Sequence, residues 1–87
     1  MQWTTEDSRI YLTDENGKKI AEVLFPKTGE NEYTVTHTWV DDSLRGQGIA
    51  GKLMEAAVKR IRELGGTPKA QCSYAVHWME KHPDQLG

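Results

Sequence analysis

The stretch RGQGIAGKL, Arg45 to Leu53, decides how the rest of the chain is read. It fits several phosphate-loop patterns at once. Gly46, Gly48 and Gly51 spell G-x-G-x-x-G, a dinucleotide fingerprint. Gly46 to Lys52 spell G-x-x-x-x-G-K, a Walker A loop with Leu53 where Ser or Thr should follow. Arg45 to Ala50 spell R-x-x-G-x-A. The same physics lies behind each pattern. Glycines let the backbone come close to an anion, and a helix N-terminus offers N–H groups with no partner inside the helix.

Downstream, AGKLMEAAVKRIRELGG repeats Leu53, Ala57, Ile61 and Leu64 at helical spacing, widened by Met54 and Val58. Lys52, Glu55, Lys59, Arg60 and Arg62 take the wet side. This predicts an amphipathic helix of about four turns, ended by Gly65-Gly66 as a left-handed C-cap. Lys69 to Cys72 reads as a short strand. Ser73 reads as the N-cap of a last helix, Tyr74 to His82, stopped by Pro83.

Upstream, Arg9–Thr13 and Lys19–Phe25 alternate as strands around Asn16-Gly17, a hairpin signal. KTGEN reads as a turn, and Met1 to Ser8 offers no element. Glu32 to Val40 is the strongest strand pattern, with Tyr33, Val35, His37 and Trp39 on one side and Thr34, Thr36, Thr38 and Val40 on the other. The expectation is an α+β, sandwich-like fold. An antiparallel meander precedes the first helix, in the order β-β-β-α-β-α.

That order excludes two of the loop patterns. A dinucleotide site needs an acidic residue about twenty positions past the loop; Lys69 to Ser73 contain none. A Walker A loop needs Ser or Thr for magnesium and a parallel sheet with a second acidic strand.

The third pattern fits its surroundings. A meander, then R-x-x-G-x-A opening a long helix, then a short strand and a helix, resembles the GNAT superfamily of acyl-CoA-dependent N-acyltransferases over roughly Arg9 to Pro83. THTWVDDSLRGQGIAGKLMEAAV and CSYAVHWMEKHPDQL resemble its short, single-domain YjdJ-like group. The resemblance implies a loop that binds the coenzyme A pyrophosphate through Gly46, Gln47, Gly48, Ile49 and Ala50, with Arg45 adding charge. It also implies a strand edge near Trp39 and Val40 that pairs with the pantetheine arm. Acetyl-CoA would be the acyl donor and an unidentified amine the acceptor, with no metal. Full-length members carry further segments on both sides that shape the acceptor site, and this sequence reads as a minimal version.

Many members also carry Asn-x-x-Ala-x-x-x-Tyr, the Tyr acting as general acid. Laid on this chain, Asn falls on Cys72, Ala on Ala75 and Tyr on Met79. Methionine has no proton to donate. Cys72 then has two readings, a small buried hydrophobe or a reactive thiol where a helix N-terminus favours thiolate. His37 is either a structural strand residue or a base that approaches Cys72 across parallel strands. Lys52 is within reach of a bound phosphate on this reading, and the helix charges otherwise read as a solvated face.

The functional expectations are therefore three. The first is acetyl transfer with Cys72 as relay or channel wall. The second is a non-catalytic acyl-CoA-binding or protein-interaction module. The third is thioester hydrolysis through Cys72. The bulk properties agree with one small domain spanning the 87 residues. A net charge of −2 with interspersed signs argues against nucleic acid as partner. The lone cysteine allows no internal disulfide, and no signal sequence or long apolar run is visible, which predicts a soluble cytoplasmic protein without a membrane partner. Its oligomeric expectation is a monomer or weak homodimer.

Overall fold

A computed structural model describes residues 2–83. Met1 and residues 84–87, which include the last three residues of the CSYAVHWMEKHPDQL stretch, lie outside the described residues. The fold is α+β, with the meander enlarged into two sheets. The first sheet has the order β1-β2-β3-β6, from Gln2–Thr5 (β1), Arg9–Thr13 (β2), Lys19–Leu24 (β3) and His37–Val40 (β6), with all neighbours antiparallel. The second is β4-β5-β7, from Lys27–Gly29 (β4), Glu32–Val35 (β5) and Thr67–Ala70 (β7). There β4 runs antiparallel to β5, and β7 runs parallel to it.

The β2–β3 hairpin forms because Ile10 and Leu12 alternate inward while the Asp14 carboxylate organises the turn. Asp14 Oδ1 accepts from the Asn16 N–H at 2.8 Å and the Lys18 N–H at 3.0 Å. Gly17 closes the turn at φ +81°, a conformation that side chains resist.

The strand expected over Glu32 to Val40 is broken in two at Thr36. Its N–H goes to Leu24 O at 3.0 Å. Before the break β5 pairs with β4 and β7; after it β6 pairs with β3. The break also reverses the faces. Val35 is buried, but Thr38 and Val40, not His37 and Trp39, turn toward the interior. One residue of slip exchanges every side chain between faces.

The two helices are Ile49–Glu63 (α1) and Ser73–Lys81 (α2). Leu53, Met54, Ala57, Val58 and Ile61 of α1 join Ile10, Leu12, Ala21 and Val23 of the first sheet in one core. Burying a side chain the size of Leu53 or Ile61 stabilises the fold by about 1.5–3 kcal/mol. The C-terminus of α1 ends as its glycines predict. Gly65 N–H donates to Arg62 O at 3.0 Å and Gly66 N–H to Ile61 O at 2.9 Å, with Gly65 at φ +78°. That pair of bonds is a Schellman motif.

The last helix starts one residue earlier than expected. β7 ends at Ala70, and Val35 O then accepts from both the Gln71 N–H (2.9 Å) and the Cys72 N–H (3.3 Å). This leaves Cys72, not Ser73, extended as the N-cap of α2. Among the described residues, no helix is long and apolar enough to cross a membrane.

Candidate functional site

The glycine loop begins at a carboxylate cap. Asp41 Oδ2 accepts from the Ser43 N–H at 3.1 Å and the Ser43 hydroxyl at 2.6 Å. Those two bonds, the hydroxyl foremost, hold the Asp41 carboxyl below its ordinary 3.8. A single 3-10 turn, Asp42–Leu44, then delivers Arg45 to the head of the loop. Gly46 and Gly48 both take positive φ, +82° and +70°. A Cβ on either would meet nothing within 4 Å of the chain itself. Backbone conformation, not crowding, therefore requires glycine at both positions.

Gly48 is the N-cap of α1 and supplies no side-chain bond. The first amide to find a carbonyl in the helix is Lys52, donating to Gly48 O at 3.2 Å. The amides of Ile49, Ala50 and Gly51 precede it and are left for an outside acceptor. The Gln47 amide, expected among the donors, bonds instead to Leu44 O at 3.3 Å.

These amides open on a cleft of ≈ 290 Å³ lined by Val40, Leu44, Arg45, Gly46, Gly48, Ile49, Ala50, Gly51 and Tyr74. Larger hollows lie along Glu55–Glu63 on α1 and between the β2–β3 turn and Ser43, but neither gathers unpaired amides at a helix start. Arg45 stands at the rim, its side chain 81% exposed and its Nε 3.1 Å from Asp42 Oδ1. Tyr74 is an exposed wall rather than a core residue. Its hydroxyl would lie 3.9 Å from a Cβ on Gly51. Partial burial raises the Tyr74 phenol above 10.0, so it keeps its proton at neutral pH.

Two residues along β6 from Val40, Thr38 faces the candidate thiol. Cys72 Sγ accepts from the Ala75 N–H at 3.4 Å and lies 3.6 Å from Thr38 Oγ1. The shared Val35 carbonyl fixes Cys72 at the point where β5 and β6 part. The parallel pairing expected between the strands of Val35 and Ala70 is present. The approach expected of His37 is not. His37 is exposed, on the sheet face opposite Thr38, because the break at Thr36 reverses the alternation. Trp39, 37% exposed, shares that outer face, and it is Val40 beside it that lines the cleft.

Over residues 9–86 the chain matches the family model described as GCN5-related N-acetyl-transferase. The chain belongs to this family. Among solved structures, a GCN5-like protein from Staphylococcus aureus is 32% identical, with a TM-score of 0.78, over 97% of this chain and 82% of its own. YhbS from Escherichia coli, a GNAT family N-acetyltransferase solved in complex with CoA, is 23% identical with a TM-score of 0.68. Ard1 from Thermoplasma volcanium is 20% identical with a TM-score of 0.68. The present chain spans 42% of the YhbS chain and 53% of the Ard1 chain, and at these identities the likeness is one of fold. No curated protein gives a significant sequence match.

Met79, on which the sequence resemblance laid the general-acid tyrosine, is only 9% exposed and part of the core. The residues that sequence reading passed over are Thr38 and Gly51. Thr38 was hidden by the reversed strand face. Gly51 was visible as the last glycine of the loop, and its place in the first turn of α1 was the available signal.

Proposed function

We propose that the chain acts as a single acyl-CoA-binding domain that transfers an acetyl group from acetyl-CoA to an amine. The observation that carries this reading is the set of unpaired amides at Ile49, Ala50 and Gly51, opening on a cleft with Arg45 at its rim. A helix N-terminus with free N–H groups suits a pyrophosphate. Gly46 and Gly48 give the loop the shape that aims those amides outward. The open edge of β6 at Trp39 and Val40 offers backbone groups to an amide-containing arm, as a strand edge does.

In this reading Cys72 takes the acyl group. Its thiolate attacks the thioester carbonyl, the carbon–sulfur bond to CoA breaks, and CoA leaves carrying the proton that Cys72 released. The amine then attacks the acyl-cysteine, the amide forms, and the cysteine thiol is restored. The domain's contributions are positioning and a helix N-terminus beside the sulfur. His37 has no part in this scheme, because it faces away.

Met79 favours one second reading, a binding module that holds acyl-CoA without turnover. It puts no hydroxyl where the family's general acid stands.

Calorimetric titration with acetyl-CoA, CoA, NADH and Mg-ATP tests the cleft. Saturable binding of acetyl-CoA and CoA alone supports the reading, and no binding to either refutes it. Release of free CoA is then followed with and without a primary amine. Acceleration by amine indicates transfer, equal release without it indicates hydrolysis, and no release indicates the binding module.

A further inference from the structure

Thr38 Oγ1 lies between two sulfur atoms, 3.6 Å from Cys72 Sγ and 3.9 Å from Met54 Sδ. A threonine hydroxyl has a single proton, and a thioether can only accept one. The protons can therefore be assigned. With Cys72 as a thiol, Thr38 donates to Met54 Sδ, the S–H donates to Thr38 Oγ1, and the Ala75 N–H donates to Cys72 Sγ. Every proton in that chain has an acceptor. With Cys72 as a thiolate, the S–H is gone and Thr38 Oγ1 loses its donor. Rotation about the Cβ–Oγ1 bond then turns the hydroxyl proton from Met54 to Cys72. The thiolate receives two donors, Thr38 O–H and Ala75 N–H.

We infer that Thr38 is a positioning residue for Cys72, with Met54 as the resting acceptor of its proton. It orients the S–H in the resting state and becomes a donor to the sulfur once the proton leaves. This rests on Cys72 being the acyl-accepting thiol of the proposed reaction. The two groups bonded to the sulfur, the Thr38 hydroxyl and the Ala75 N–H, carry no charge. Of the titratable residues on the surrounding elements, His37 on β6, Lys19 on β3, Lys52, Glu55, Lys59, Arg62 and Glu63 on α1, Lys69 on β7, and Tyr74, His77, Glu80 and Lys81 on α2 are exposed, Arg60 on α1 and Glu32 and Tyr33 on β5 are partly exposed, and Glu22 on β3 is buried. They are the same in every variant below, so a difference between variants reports the hydroxyl.

Two substitutions should act in opposite directions. Thr38→Val keeps the shape of the side chain and removes the thiolate's donor. Met54→Leu removes the competing acceptor and leaves the hydroxyl free for the sulfur. The experiment is the rate of iodoacetamide alkylation of Cys72 against pH, in the absence of any CoA. The midpoint should move up by about one pH unit in Thr38→Val, the effect of losing one hydrogen bond to an ionised group. It should move down in Met54→Leu and stay with the wild type in Thr38→Ser.

Circular dichroism checks that each variant folds. If Thr38→Val does not fold, the downward shift in Met54→Leu decides alone. Coincident midpoints in wild type and Thr38→Val, or a shift of Met54→Leu in the upward direction, overturn the inference. A failure of acetyl transfer would leave the alkylation profiles intact, so the two readings fail separately. Where turnover is present, Thr38→Val should lower kcat at neutral pH with unchanged acetyl-CoA affinity, and Thr38→Ser should restore it.

Discussion

The Arg45 guanidinium is engaged by Asp42, Nε to Oδ1 at 3.1 Å, on the rim of the cleft that the α1 amides open on. Both side chains are largely exposed, so the pair contributes at most about 1 kcal/mol. If CoA binds in the cleft, its pyrophosphate competes with Asp42 for the same cation. Asp42→Asn should therefore tighten CoA binding, by roughly two- to fivefold, within the range of one surface pair. Arg45→Ala should weaken it by about tenfold, the loss of one charge-assisted contact. Both effects should shrink in high salt. Calorimetry at two ionic strengths checks this, and equal affinities in all three proteins would remove Arg45 from the site.

The glycines of the loop should separate into two kinds. Gly48 sits at φ +70°, where an L side chain costs about 1–2 kcal/mol. Gly48→Ala should lower stability to urea by that amount. Gly51 lies inside α1, and a Cβ there makes ordinary contacts, 3.8 Å to Trp78 Nε1 and 3.9 Å to Tyr74 Oη. Gly51→Ala should stabilise the fold, by up to about 1 kcal/mol. If CoA occupies the cleft, the same substitution should weaken its binding, because the methyl then faces the ligand. Gain in stability with unchanged affinity would place the ligand elsewhere.

Behind the site, Gly66 seals the end of α1 against β5. A Cβ on Gly66 would stand 2.5 Å from Tyr33 Cδ1 and 3.2 Å from Ile61 Cγ2. The ring has to move, and overpacking of this kind costs about 1–3 kcal/mol. Gly66→Ala should show that loss in denaturant unfolding. Adding Tyr33→Leu should recover part of it, since the two sites share one contact.

Two groups near the loop fix the sign of pH effects on stability. The Asp41 carboxyl is held below 3.8 by the Ser43 hydroxyl and N–H. Its folded value is lowered, so its contribution is present above the unfolded value and is lost as pH falls through the folded one. Tyr74 is the reverse case, raised above 10.0 by burial. The unfolded chain releases that proton first, so stability declines as pH rises past 10.0. Asp41→Asn should flatten the acid limb of a stability-versus-pH curve, and Tyr74→Phe the alkaline limb. Unchanged limbs would contradict these environments.

The parts legible in the sequence were those set by local rules. The α1 stripe, its glycine cap, the β2–β3 hairpin and the loop at the helix start each follow from residues within one or two turns of each other. The strand pattern over Glu32–Val40 was legible as strand but not as two strands. Thr34, Thr36 and Thr38 continue the alternation through the break, and the choice of partner belongs to β3 and β7, far away in sequence. That single misread step moved His37 toward Cys72 and Thr38 away from it. β1 escaped notice because an edge strand such as Gln2–Thr5, polar apart from Trp3, is mostly exposed and lacks the alternation that marks a buried face. β4 escaped for its length, three residues with a glycine at the end.

Cys72 offers the sharpest test of the chemistry, because its two roles respond differently to one substitution. As the N-cap of α2, its sulfur accepts the Ala75 N–H at 3.4 Å. Serine is a better N-cap than cysteine, since a hydroxyl oxygen is the stronger acceptor. Cys72→Ser should therefore leave thermal stability equal or slightly raised. If the thiol carries the acyl group, turnover should fall by about a hundredfold or more in a fully folded protein, with acetyl-CoA affinity unchanged. Mass spectrometry of the wild type mixed with acetyl-CoA, without amine, should show one acetyl group on Cys72, labile to hydroxylamine. The Ser variant should show none. Retained turnover in Cys72→Ser, with no acetyl-cysteine in the wild type, would mean that the amine attacks the thioester directly and that the cysteine serves only to start the helix.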